Sequence, residues 1–243
     1  MKRMIVANSS NAKQGEVGGF PSVRLLSVCI VALLFAPIEK IAAAKSPPNI
    51  LVILADDMGY GDTGFMGSQL LKTPHLDSLA RSGIYCSQAY VTSPVCSPSR
   101  AGLMTGRDPR RFGYEGNLNQ SSPNYATRPE LLGLAPGEHT LGDHLGHAGY
   151  ATALIGKWHL GLGADFHPNR RGFDHFSGML TGSHSYFPKG GKHRLERNGE
   201  SVREFSNPYL TDFFTDEGLG WLNRQQGSDQ PWFLFMSYNA PHG

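Results

Sequence analysis

Three apolar runs, each ending in a cluster of polar side chains, constrain this chain more than any other feature. The first, Asn49-Ile50-Leu51-Val52-Ile53-Leu54-Ala55, is continuously hydrophobic, reads as a strand buried on both faces, and stops at Asp56 and Asp57. The second, Tyr150 to Ile155, runs into Gly156-Lys157-Trp158-His159-Leu160-Gly161. The third, Pro231 to Tyr238, runs into Asn239-Ala240-Pro241-His242-Gly243. Ligands of open parallel sheets bind beyond the carboxyl ends of the strands, so polar ends on three strands predict one shared site.

Helical segments separate the strands. Thr73-Pro74 caps and opens a helix through Leu76, Leu79 and Ala80 that Gly83 stops. A strand is expected from Ile84 to Val91, and a helix from Ser99 to Thr105. Thr140 to His147 predicts a short helix closed by Gly149, and Tyr209 to Gln226 carries a helical apolar face at Leu210, Phe213, Phe214, Trp221 and Leu222. Phe112 to Pro136 has no period and reads as a long surface excursion, with a glycosylation sequon at Asn119-Gln120-Ser121. No repeat is present. The alternation predicts an α/β fold with a mostly parallel sheet flanked by helices.

Twenty-two basic against twenty acidic residues leave a net charge of +2, which argues against nucleic acid or an anionic membrane surface as partner. Thirty glycines and sixteen prolines suit a loop-rich enzyme with functional residues on turns. Residues 1–44 read as a secretory signal: Lys2, Arg3, Lys13 and Arg24 precede an apolar run from Leu25 to Pro37, and cleavage is expected near Ala44. That run falls short of the ~20 residues that span a bilayer, so no stable membrane span is expected and the mature chain should be secreted or periplasmic. Cys29 leaves with the signal. Cys86 and Cys96 then remain; they pair as a disulfide, or Cys86 is a small core residue of its strand and Cys96 is reserved for chemistry.

Paired carboxylates at a strand end suit a hard divalent cation with oxygen ligands, although Asp56 and Asp57 could also be turn residues. Arg100 follows Cys96 by about one helical turn, so its guanidinium can return toward residue 96. Cys96 at a helix start would face backbone N–H groups. Lys157 and His159, two apart in an extended segment, would point to the same side.

These landmarks resemble the sulfatase family of the alkaline-phosphatase superfamily. The resemblance rests on Cys96-Ser97-Pro98-Ser99-Arg100 followed by Ala-Gly-Leu-Met-Thr-Gly to Gly106, on Gly156-Lys157-Trp158-His159-Leu160-Gly161, on Ala55-Asp56-Asp57-Met58-Gly59-Tyr60-Gly61-Asp62, on Thr73-Pro74-His75-Leu76-Asp77, and on Ala240-Pro241-His242. It spans about residues 48 to 243. It implies an alkaline-phosphatase-like fold in which residues 45–243 are the N-terminal portion of a catalytic domain. It also implies that Cys96 is oxidised to Cα-formylglycine (3-oxoalanine) by a maturation enzyme that reads Pro98 and Arg100. Calcium (Ca2+) would be held by Asp56, Asp57 and the modified Cys96. Arg100, Lys157 and His159 would hold the nucleophile and sulfate, and His242 would protonate the leaving alcohol or bind sulfate. His184 could line the substrate pocket or sit in a solvated loop, and Trp158 could wall the pocket or pack. His75, His139, His144, His147, His167, His175 and His193 match no catalytic pattern.

The implied activity is hydrolysis of sulfate monoesters, aryl or carbohydrate sulfates, with a sulfated small molecule or glycan as substrate. The family's two remaining metal ligands have no counterpart in this sequence, so the C-terminal portion of the domain is expected to be missing and activity impaired. A phosphate or phosphonate ester hydrolase and a non-catalytic remnant are the alternatives.

Overall fold

The computed structural model describes residues 47–118, 132–188 and 194–243. The signal segment, the sequon at Asn119 and His193 lie outside the described residues. A six-stranded sheet in the order β1-β6-β2-β3-β4-β5 organises the unit from Ser46 to Gly243. Its strands are β1 (Ile50–Asp56), β2 (Ala151–Lys157), β3 (His175–Met179), β4 (Leu195–Arg197), β5 (Glu200–Ser201) and β6 (Trp232–Pro241). The first four in spatial order pair in parallel, and β4 and β5 add a short antiparallel margin. The last strand in the sequence thus lies between the first two, so its residues touch both.

Period-two alternation sends successive side chains of each strand into different cores. Phe233 and Phe235 of β6, with Leu154 of β2, pack against Ala101 and Met104 of α2 (Cys96–Thr105) and the flanking Leu141 and Leu145 of α3 (Leu141–His147). Leu234 and Met236, with Ala153 and Ile155, pack on the other face against Leu210, Phe213, Phe214 and Trp221 of α4 (Leu210–Gln225). The result is three layers, helix on sheet on helix, in agreement with the expected fold class. Among the described residues no helix is long and apolar enough to cross a membrane.

Three expectations need correction. β1 is not buried on both faces: Leu51 is 48% and Ile53 59% exposed, because α4 covers that face of the sheet over β6 and β2 and neither residue joins its core. The segment from Ile84 to Val91 forms no strand, and Ile84, Tyr90 and Val91 stay exposed. β-propensity expresses itself only against a neighbour, and this stretch finds none. Cys86 is consequently exposed rather than in the core, and both it and Cys96 are free thiols, so the disulfide is absent. α1 (Pro74–Ser82) forms where its Thr-Pro start predicts but buries none of its residues.

α3 starts through a full capping box. The Thr140 side chain accepts from the Asp143 N–H at 3.1 Å, and the Asp143 carboxylate accepts from the Thr140 N–H at 2.8 Å. The fully buried Thr140 hydroxyl also donates to the Arg171 carbonyl at 2.7 Å, tying the helix to the turn before β3. Thr140→Ala should lower the unfolding free energy by about 1–2 kcal/mol, and Thr140→Ser, which keeps both bonds, by much less, as read from urea denaturation.

Candidate active site

The carboxyl ends of the parallel strands converge, with Lys157 opposite Met179 of β3, Gly156 opposite Ser237 of β6, and Asp56 opposite Pro241. At their centre lies Asp56, 6% exposed. One of its oxygens meets the Lys157 ammonium at 2.5 Å and the other the Arg100 guanidinium at 3.3 Å. Lys157 itself is wholly buried. Two cations on one acid repay the desolvation of the group only when the remaining polar atoms are satisfied. Arg100 meets that condition in part: Nη1 donates to the Ser237 hydroxyl at 2.6 Å and to the Lys157 carbonyl at 3.0 Å, while Nε and Nη2 have no hydrogen-bond partner among the described residues. The Ser237 hydroxyl in turn donates to that same carbonyl at 2.7 Å. Burial lowers the Arg100 pKa, and Asp56, Cys96 and Asp57 oppose the shift.

The approach of the strands depends on small residues. Gly156 adopts φ +109°, and a Cβ there would lie 2.0 Å from the Ser237 carbonyl oxygen. His159 follows in a left-handed conformation, φ +58°, so the Lys157–His159 segment is not extended as expected. The turn nevertheless delivers both side chains to the centre: Lys157, Arg100, Asp56 and His242 are the charges felt by the His159 ring. Gly182 makes room for that ring, since a Cβ there would approach it to 2.5 Å. Burial first, then Lys157 and Arg100, push the imidazole pKa down to about 3, so His159 is neutral across the physiological range. Its Nδ1 is buried without a partner among the described residues.

Cys96 opens α2, three residues before the predicted start of the helix at Ser99, and is partly buried. The first turn offers an anion less than expected. The Ser97 N–H already donates to the Asn117 side chain at 2.9 Å, Pro98 has no N–H, and the Ser99 N–H bonds the Val95 carbonyl. The Ser97 hydroxyl donates to the His159 carbonyl at 2.7 Å and lies 2.8 Å from the Tyr114 hydroxyl, joining the start of α2 to the end of β2.

Ligand atoms of Asp56, Cys96 and His242 lie within 4.8 Å of one another. Asp57, in a left-handed turn with φ +62°, turns outward, and its carboxylate stands 3.6 Å from His242 Nε2. A cavity of about 250 Å³ opens onto the group, lined by Asp56, Asp57, Cys96 and Arg100 with Val91 and Val95. Two roomier hollows, at Arg197–Glu204 and around Asp143–Gln230, hold none of these residues.

Asp56, Asp57, Cys96, Arg100, Lys157, His159 and His242 therefore all meet at one end of the sheet. His184 stays half-buried at the rim, its Nδ1 against the Ser185 carbonyl at 2.8 Å rather than against the central residues. Trp158 packs in the core and donates to the Phe166 carbonyl, so it is not a pocket wall. Ser237, Ser97 and Asn117 were not foreseen. Only Ser237 left a signal, as a hydroxyl inside the apolar run Phe233-Leu234-Phe235-Met236 to Tyr238.

The mixed sheet flanked by helices, with a buried acid, two buried cations and a neutral imidazole at its strand ends and a thiol on the adjoining helix start, has the alkaline-phosphatase-like architecture of its sulfatase structural neighbours. The Sulfatase family model matches residues 48–243, and the chain belongs to that family. It is 37% identical to the N-acetylgalactosamine-6-sulfatase of Canis lupus familiaris over 214 residues, 83% of this chain and 41% of the relative. It is 44% identical to the steryl-sulfatase of Mus musculus over 173 residues, 66% of this chain and 27% of the relative. Among solved structures, Ps i-CgsB in complex with k-i-k-neocarrahexaose superposes with a TM-score of 0.73 at 38% identity, over 81% of this chain and 46% of that one. BT4656 in complex with D-Glucosamine-2-N, 6-O-disulfate gives 0.62 at 29% identity, over 80% and 35%. The chain thus spans about two fifths of the length of the first of these relatives.

The neutral state of His159 sets a pH dependence. An unfolded imidazole protonates near pH 6.5 and the folded one near pH 3, so between these values the unfolded chain binds more protons. The stability this ring contributes is complete above about pH 6.5 and is lost as pH falls toward 3. Denaturant midpoints measured from pH 7.5 to 4.5 should fall, and His159→Gln should flatten that slope.

Proposed function

We propose that this site hydrolyses sulfate monoesters of small molecules or glycans, with a nucleophile made from Cys96 and a calcium ion. The observation that carries the reading is the Asp56 carboxylate held between Lys157 and Arg100, with ligand atoms of Cys96 and His242 within 4.8 Å of it and of each other. The family membership and the sulfated sugar bound by BT4656 support it.

The donor set fits a hard divalent cation: Asp56, Asp57 and an oxygen on residue 96 would hold calcium, which would polarise a sulfate oxygen. Cys96 oxidised to Cα-formylglycine would supply, as the aldehyde hydrate, one hydroxyl to attack sulfur and a second to restore the aldehyde and release sulfate. The remaining roles belong to residues already in place. Lys157 and Arg100 supply buried positive charge toward the sulfate oxygens, where low dielectric strengthens it. The neutral His159 ring, its Nδ1 without a partner among the described residues, meets a sulfate oxygen through a hydrogen bond rather than a charge. His242, at the rim beside Asp57, passes a proton to the leaving alcohol oxygen.

Three calcium ligands make a sparse shell for an ion that takes six to eight oxygens, so residues 1–243 taken alone should bind calcium weakly and turn over slowly. Co-expression with the maturation enzyme, followed by assay of a chromogenic aryl sulfate and the matching aryl phosphate with added calcium, tests this. Slow, calcium-dependent release from the sulfate over the phosphate is expected; preference for the phosphate ester would overturn the substrate assignment.

Maturation has a structural condition. Pro98 and Arg100 are buried in the folded chain, so an enzyme that reads them must act before folding. Export through residues 1–44, with cleavage near Ala44, belongs to the same proposal and is supported by the basic front and apolar run. Intact-mass spectrometry of the secreted or periplasmic chain should show loss of the leader and conversion of the Cys96 thiol to the aldehyde. The purified folded chain exposed to the maturation enzyme should keep its thiol.

A further inference from the structure

We propose that Tyr114 and Ser97 are positioning residues: their two hydroxyls form a hydrogen-bonded chain that ends on the His159 carbonyl and fixes the sulfate-facing imidazole relative to the nucleophile at residue 96. The inference rests on the sulfate-ester reading above and deepens it, because both residues act on the reaction through His159 rather than by touching the substrate.

The direction of the chain follows from its last member. A carbonyl oxygen only accepts, so the single hydroxyl proton of Ser97 goes to His159, at 2.7 Å. The Ser97 oxygen is then the acceptor toward Tyr114, and the Tyr114 hydroxyl, 2.8 Å away, is the donor. Both bonds lie in the interior, with Ser97 wholly buried and Tyr114 8% exposed. Where water does not compete, an aimed donor is strong and one deprived of its acceptor is costly. The Ser97 N–H is held as well, by the Asn117 side chain at 2.9 Å, so residue 97 is fastened through backbone and side chain alike.

His159 needs such a hold. Its φ of +58° lies in the left-handed region, which a residue other than glycine keeps only where its surroundings dictate it. Its N–H donates to the Leu180 carbonyl at 3.2 Å and its ring lies against Gly182, two contacts with the segment that follows β3. The Ser97 bond ties the His159 carbonyl to a different element, the helix that begins with Cys96, across 62 residues of sequence. Fixing that carbonyl fixes the backbone rotation at His159, and with it the direction in which the imidazole leaves the chain. Cys96 is covalently joined to Ser97, so nucleophile and imidazole keep one spacing. Spacing of this kind matters because a misplacement of about 1 Å can cost about a hundredfold in rate.

Binding of inorganic sulfate by the purified chain, with the Cys96 thiol intact and calcium present, tests this without passing any variant through maturation. Calorimetry reads the affinity, and nitrogen NMR reads the His159 ring, whose signals are assigned by their loss in His159→Gln. Sulfate should shift the His159 Nδ1 signal of the unsubstituted chain. Ser97→Ala should lower sulfate affinity about five- to tenfold and remove most of that shift, and Tyr114→Phe should lower affinity about two- to threefold. Thr140→Ala, which deletes a buried hydroxyl-to-carbonyl bond of the same kind in α3, should change neither reading. Unchanged affinity and shift in Ser97→Ala would overturn the proposal, as would an equal loss in Thr140→Ala, which would mark the effect as one of overall stability. If Ser97→Ala does not fold, Tyr114→Phe decides, and unchanged affinity there overturns it. Failure of the unsubstituted chain to bind sulfate would overturn the sulfate reading itself and this inference with it, an outcome distinct from a loss confined to the variants.

Discussion

The buried Asp56 carboxylate, shared by Lys157 and Arg100, is the interaction on which the rest of the site depends. It joins the ends of β1 and β2 to α2, and through the Ser237 hydroxyl it takes in β6. Removing an acid and two cations from water carries a penalty of several kcal/mol for each ion, which their attraction offsets only in tight geometry with the remaining donors satisfied. That condition accounts for the Ser237 hydroxyl and the doubly used Lys157 carbonyl, although Arg100 Nε and Nη2 keep no hydrogen-bond partner among the described residues. It also explains why the strands approach so closely at Gly156, where no side chain fits.

Around this knot the sheet acts as a platform. β6 lies between β1 and β2, so its two sets of side chains hold the helical layers together while its end carries His242. Cys96 is delivered from the other direction, on a helix whose second residue is fastened to the His159 carbonyl and to Asn117. Nucleophile candidate and anion-binding candidates are thus positioned by different elements, each held by contacts independent of any ligand. Such preorganisation is what electrostatic catalysis requires, because groups already aimed need not reorganise during reaction.

Much of this was legible in the chain itself. The apolar runs of β1, β2 and β6, the Thr-Pro opening of α1 and the Thr140 cap of α3 announce their elements because strand and helix periods and caps are local properties. The seven central residues were also legible, through motifs at strand ends. The Ile84 to Val91 stretch failed for the complementary reason: it has the composition of a strand and no ladder partner, so Cys86 ended at the surface. The expectation that Lys157 and His159 share a side through extended geometry reached the right place by the wrong route. The backbone turns left-handed at His159, and packing against Gly182 and the Ser97 bond to its carbonyl fix the ring.

The sequence by itself determined the segments that become β1, β2, β6 and the four helices, that polar residues gather at the strand ends, and the family to which the chain belongs. Each of these is written in spacings of a few residues. Tertiary structure alone decided that Asp56 turns inward and Asp57 outward, that Lys157 can be wholly buried, and that His159 is neutral. Those outcomes depend on partners far apart in the chain, as with Asp56 and Lys157, 101 residues apart. Burial and charge act through space, and no local pattern records which distant groups will meet.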